Sequence, residues 1–224
     1  MVRINIFEAP GLRMNDEAAQ AIDEGAVRKI ILDYLIHNCL QETAEAFVAC
    51  TGMKYSFDWS AKLDKRKTIY AHAMEGNVLK AIELTNELAS DLLQNNEDVL
   101  FDLLTLHFVE LVRSRNCTGA LEFAQKELTS YGNREQYIEK LQDVVTLLAY
   151  EEPEKSPVYE FLSMDHRQSV ADKLNKLVLT HHQLPATSSL ERLVQQVSVV
   201  RYCLKQDCGK DGWAPFSLTS FLKR

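Results

Sequence analysis

The chain has 224 residues, 46% of them hydrophobic and 25% charged, with 8 Gly and 5 Pro. This length allows one or two hydrophobic cores, and so few Gly and Pro argue against a turn-rich all-β fold and against long disordered tracts. Lys and Arg number 25 against 32 Asp and Glu, a net charge of −7, which argues against non-specific nucleic-acid binding, because that needs clustered cations to displace counterions.

The first twenty residues, MVRINIFEAPGLRMNDEAAQ, hold no signal-peptide core. No stretch reaches the roughly 18–20 apolar residues of a membrane span. The expectation is an intracellular protein, cytoplasmic or nuclear, whose five cysteines are reduced thiols rather than a disulfide framework. Residues 1–24 show no period and read as an N-terminal arm. Val27, Ile30, Ile31, Tyr34 and Leu35 then fall at i, i+3, i+4, i+7 and i+8, one apolar helix face. After a break at Asn38 and Cys39, a second helix carries Leu40, Ala44, Phe47 and Val48, and Gly52 suits its end. Two helices of about a dozen residues are marginal alone. With no metal ligands on offer, this hairpin is expected to pack against another copy of itself as four helices.

Tyr55 to Ala61 reads as a linker whose Phe57 and Trp59 dock on neighbouring helices. Lys62, Lys65, Arg66 and Lys67 form a basic run expected to be a solvated helix start. Leu63, Tyr70, Ala73 and Met74 mark a helix stopping at Gly76, and Asn77 is placed to cap the next through its side-chain oxygen. That next helix carries Ala81, Ile82, Thr85, Leu88 and Ala89. Val99 to Val112 is apolar nearly all round and belongs at the centre of a core. Ala120, Leu121, Phe123, Ala124 and Leu128 continue the array, and Tyr137, Ile138, Leu141, Val144, Val145 and Leu148 make another stripe. The acidic segment Glu151 to Pro157, bounded by prolines, is expected to be a loop. Val170, Leu174, Leu177 and Val178 share a face, Pro185 breaks the chain, and Leu190, Leu193, Val194, Val197 and Leu204 line the last long helix. Cys208 to Pro215 reads as a loop and Phe216 to Leu222 as a short helical end. The predicted class is all-α.

No reaction chemistry is written in the chain. It lacks GxGxxG, GxxxxGK[ST], HExxH, GxSxG and any CxxC pair. Cys203, Cys208, His181 and His182 could meet at a metal only by coincidence of folding. His107 is expected to be a packed histidine with a local hydrogen bond, and Glu110 and Arg113 to make surface or helix–helix polar contacts. The expectation is a non-enzyme with no cofactor, no metal and no small-molecule substrate.

VRKIILDYLIHNCLQETAEAF resembles a LisH motif, with Tyr34, Leu35, Thr43, Ala44 and Phe47 at its characteristic positions and Cys39 where glycine is usual. EGNVLKAIELTNEL and LLTLHFVELVRSRNCTGALEFAQKEL resemble a CTLH motif, and LLAYEEPEKSPV with LNKLVLTHHQLP resembles a CRA domain. The resemblance is to the LisH–CTLH–CRA family: the C-terminal half of Ran-binding-protein-M-like proteins, without their SPRY domain, and scaffold subunits of the glucose-induced-degradation (CTLH) ubiquitin ligase. It implies a LisH hairpin at 25–57, a CTLH motif at 63–121 and a CRA domain at 116–222, the last two an array of antiparallel helices packed as one unit. It further implies a scaffold that dimerises and assembles subunits through LisH and CRA. Its partners would be itself and other LisH–CTLH–CRA or RING subunits, with no nucleic acid and no membrane. LisH pairing is expected at Val27, Ile30, Ile31, Tyr34, Leu35, Leu40, Ala44 and Phe47. The alternative is a stand-alone LisH adaptor linked to Ran signalling or the cytoskeleton.

Overall fold

The computed structural model of the chain describes residues 23–54 and 60–208. Among these the fold is all-α, as predicted, with no strand. In chain order the helices are α1 (Glu24–His37), α2 (Gln41–Thr51), α3 (Ser60–Glu75), α4 (Val78–Leu88), α5 (Glu97–Arg113), α6 (Cys117–Phe123), α7 (Glu135–Thr146), α8 (Met164–His181) and α9 (Ser189–Cys208). The contacts divide the chain into two units, Met1–Thr51 with Ser188–Arg224, and Gly52–Thr187.

Helix ends explain much of the layout. Gly52 (φ 64°) follows α2 and Gly76 (φ 85°) follows α3, both left-handed as their sequence positions foretell. Three further helices end the same way without glycine: Cys39, Arg115 and Gln183 have φ of 60°, 61° and 58°. After α1, Leu40 N–H donates to Leu35 O (2.9 Å) and Cys39 N–H to Ile36 O (3.2 Å). Equivalent pairs close α5 (Asn116 to Leu111, Arg115 to Val112) and α8 (Leu184 to Leu179, Gln183 to Thr180). Each pair ties down carbonyls that a helix end leaves open.

In the larger unit α5 packs against α4, α6, α7 and α8. Phe101, Leu103, Leu106, Phe108, Val109 and Val112 are buried almost completely, so α5 is the core helix its composition announced. Its faces feed two clusters: one with Ile69, Ala73, Ala81, Val170 and Leu174, the other with Ala120, Leu128, Tyr131, Tyr137, Val144 and Leu147. Side-chain pairs give the directions. Arg66–Asn175 and Tyr70–Asp172 run α8 antiparallel to α3, and Asp102–Lys173 and Glu110–Arg167 run it antiparallel to α5. Asp98–Tyr137 and Asp102–Lys140 instead make α7 parallel to α5.

Several local expectations are corrected. Arg66 does not belong to a solvated helix start. It is only 4% exposed and donates to Asn175 Oδ1 at 2.7 Å, because its position in α3 faces α8. Asn77 makes no side-chain cap; its amide donates to Glu75. Leu121 and Val145 are exposed, and Leu147 is the buried residue instead, because a 3-10 turn at Leu147–Ala149 rotates it inward. The proline-bounded segment contains a 3-10 turn, Pro153–Lys155, with buried Pro153 at its first position, where the missing N–H costs nothing. Cys208 closes α9 rather than opening a loop. The expectations for Phe57, Trp59 and residues 209–224 lie outside the described residues.

Candidate interaction surfaces

The smaller unit builds its surface from α1, α2 and α9. Asp23 caps α1, its carboxylate accepting from Gly25 N–H at 2.9 Å. α9 opens with a reciprocal box: Ser188 Oγ accepts from Glu191 N–H (3.2 Å), and Glu191 accepts from Ser188 N–H (2.8 Å). Asp33 of α1 accepts the next N–H, that of Ser189, at 2.7 Å. An α1 carboxylate thus sits on the positive end of α9. Glu191 also lies 3.8 Å from Nε2 of the buried His37. The C-terminal helix is therefore fastened to the hairpin, and the two-helix motif is a three-helix layer within one chain.

The eight residues expected to pair do not share one face. Leu35 and Ala44 are buried inside the unit; Ile30, Tyr34 and Phe47 are half-buried. Val27, Ile31 and Leu40 stand 38%, 37% and 43% exposed. The buried side of α1 is Leu32, Leu35, Ile36 and then Cys39, a second stripe at i, i+3, i+4 and i+7. Leu32 and Ile36 were legible as that stripe, but the neighbouring Val27–Leu35 stripe masked them. α1 is apolar on two sides, one used inside the unit and one open. On α9, Leu193, Val197 and Val200 are also open, at 45–49% exposure.

The larger unit is held by buried ion pairs. Glu110 takes Arg167 Nε (3.0 Å) and Nη2 (2.6 Å), while Arg167 Nη1 donates to Met74 O (3.1 Å). Gly76 admits this carboxylate, since a Cβ there would meet Glu110 Oε2 at 3.1 Å. Arg113 donates to Leu162 O, so Glu110 and Arg113 make helix–helix contacts as expected. Asp102 accepts from Lys140 and Lys173. Burial alone would raise its carboxyl; the two lysines outweigh that and hold it below the usual carboxylate range. Burial, aided by Lys140 and Lys173 and opposed by Asp102, pushes His166 down to about 4. Burial also lowers His107. That histidine packs edge-on against Phe123, with ring centroids 4.6 Å apart. Its Nδ1 has no hydrogen-bond partner, which corrects the expected local bond. These groups join helices; His166 also borders a cleft with Tyr159, Ser163 and Asp165, where Ser163 Oγ accepts the backbone N–H of His166 at 3.0 Å as the cap of α8. Among the described residues no cluster of His, Cys, Asp or Glu could hold a metal ion, and no helix is long and apolar enough to cross a membrane.

Residues 62–203 match the family model described as "CTLH/CRA C-terminal to LisH motif domain". The chain is 32% identical over 154 residues to a glucose-induced degradation protein 8 homolog of Nematostella vectensis, covering 68% of each. It is 27% identical over 196 residues to GID complex subunit 8 of Schizosaccharomyces pombe, covering 83% of this chain and 80% of that one. A Ran-binding protein M homolog of Arabidopsis thaliana is 27% identical over 198 residues, 79% of this chain and 42% of that protein. With an all-α array whose core helix is α5, and with more than half its length matched, the chain belongs to the CTLH/CRA family of domains that follow a LisH motif.

Proposed function

We propose that this chain is a non-catalytic scaffold subunit of a multi-subunit ubiquitin ligase of the glucose-induced-degradation type, acting in the cytoplasm, the nucleus or both. A relative that is itself named GID complex subunit 8, with glucose-induced degradation protein 8 homologues beside it, supports membership of such an assembly. The observation that carries the assembling role is the open stripe on α1, Val27 and Ile31, with Leu40 at the turn beside it. Exposed apolar side chains one turn apart on a helix whose other face is already buried are the pattern of a protein-binding surface. The hairpin is then the LisH motif, pairing with a second copy or with another LisH–CTLH–CRA subunit, and RING-bearing subunits supply the chemistry.

Val27→Asp with Ile31→Asp is the direct test, since both side chains point outward. The expected result is a halved mass in solution with an unchanged circular dichroism spectrum. In affinity purification, RING-bearing and LisH partners should be recovered with the native chain and depleted with the variant. An unchanged mass would remove the pairing role. Recovery of cytoskeletal or Ran-pathway proteins without a RING subunit would favour a stand-alone adaptor.

A further inference from the structure

In the larger unit, a cleft of about 550 Å³ opens where α4 and α8 both end; Ala89, Ser90, Asp91, Leu92, Asn95, Asn96, Leu177, Thr180 and His181 line it. We infer that it receives a lysine or arginine side chain of a partner protein. Its floor is aliphatic: Leu92 is buried, and Ala89 and Leu177 are half-buried. Its rim is electronegative. α4 stops at Leu88 and α8 at His181, and a helix C-terminus carries partial negative charge. Asp91 adds the one full charge. Its carboxylate accepts only the neighbouring Ser90 hydroxyl at 3.2 Å among the bonds described, so most of its lone-pair directions remain open. The Asn96 amide nitrogen is committed to Leu92 O at 2.8 Å, which fixes that side chain with its oxygen as the remaining acceptor. No Lys or Arg lines the cleft.

The three ligand classes separate on this lining. An anion would meet Asp91 and two helix C-termini, and the one opposing dipole, the N-terminus of α5 behind Asn96, already faces its own Glu97 and Asp98. A wholly apolar group would desolvate Asp91, Asn95 and Asn96 without bonding them. A basic side chain lays its methylene stem on Leu92 and Leu177 and brings its charged head to Asp91 and the amide oxygens.

The probes are N-acetyl-arginine amide and N-acetyl-lysine amide, titrated into the full chain and followed by methyl NMR, with N-acetyl-citrulline amide as the neutral control. The expected result is saturable shifts at the methyls of Leu92, Leu177 and Thr180 with one or both basic probes, absent with citrulline. Asp91→Asn should weaken binding about fivefold, and Asn95→Asp should strengthen it by a similar factor, in line with one exposed ion pair. The two variants together keep the test valid if either disturbs the loop. No saturable shift, equal shifts with citrulline, or shifts confined to other sites would overturn the inference. Which basic probe binds more tightly identifies the side chain.

Discussion

The two units meet the same problem, burying apolar helix faces, in opposite ways. The larger one surrounds α5 with four helices and neutralises its polar residues internally, as with Arg167 on Glu110 and two lysines on Asp102. The smaller one has three helices among its described residues, and no residue of α9 with a described side chain is fully buried. Its apolar stripes on α1 and α9 stay in water. Three helices of this size cannot cover all their own faces, and exposed apolar area is what a partner removes from water on binding. Stability therefore concentrates in one unit and unmet association capacity in the other.

Substitutions at buried and open positions sharpen that contrast. Arg167→Met removes the two Arg167 bonds to the half-buried Glu110, leaves that carboxylate only Arg113 at 3.3 Å, and should cost about 1.5–3 kcal/mol. Arg28→Ala breaks only the exposed Arg28–Glu24 pair on α1 and should cost about 0.5 kcal/mol or less. Chemical denaturation of both variants checks the difference, and comparable losses would erase the distinction. Phe108→Ala should cost about 3–5 kcal/mol, since that ring is completely buried. Val197→Ala on α9 should stay within about 0.5 kcal/mol. Leu35 and Ile31 make the same comparison inside one helix. Leu35→Asp should unfold the smaller unit, whereas Ile31→Asp should alter association and leave helicity intact.

The pH response should come from the larger unit. His166 titrates near 4 when folded against an ordinary value of 6.5. Between those values the unfolded chain binds more protons, so the stability linked to neutral His166 is complete above about 6.5 and lost as pH falls toward 4. Lowered His107 acts in the same direction. Melting temperatures across that window should decline in the native chain and decline less in His166→Gln. A parallel decline would assign the effect elsewhere. One substitution should produce a gain: Gln183→Gly relieves a left-handed residue and should stabilise by about 0.5–1 kcal/mol. Cys39→Gly in the smaller unit should gain nothing, because it also removes a buried side chain. A loss at Gln183 would show that its side chain matters more than the backbone.

Periodicity made the helices readable, and the apolar run Val99–Val112 announced the core helix, because a segment without a polar face has no orientation that suits water. Gly52 and Gly76 were readable as stops. The break at Asn38 and Cys39 was readable too; Arg115 and Gln183 were not, since any residue type can be held left-handed when hydrogen bonds back to the helix outweigh a modest steric cost. Among the residues expected to pair, Val27, Ile31 and Leu40 were identified as apolar, yet the pattern could not separate them from Leu35 and Ala44, which are equally apolar and lie inside.

The sequence by itself determined the all-α class, the helix order, the core helix and the resemblance that leads to the family, because hydrophobic period and helix-ending chemistry are local properties. Tertiary structure alone decided that Arg66 is buried against Asn175, that α7 runs parallel to α5, and that α9 returns to the N-terminal hairpin through Asp33 and Glu191. The same was true of which of α1's two apolar stripes stays open. Those outcomes depend on residues as far as 156 positions apart, and a helix with two apolar sides carries no local mark of which one a distant segment will cover.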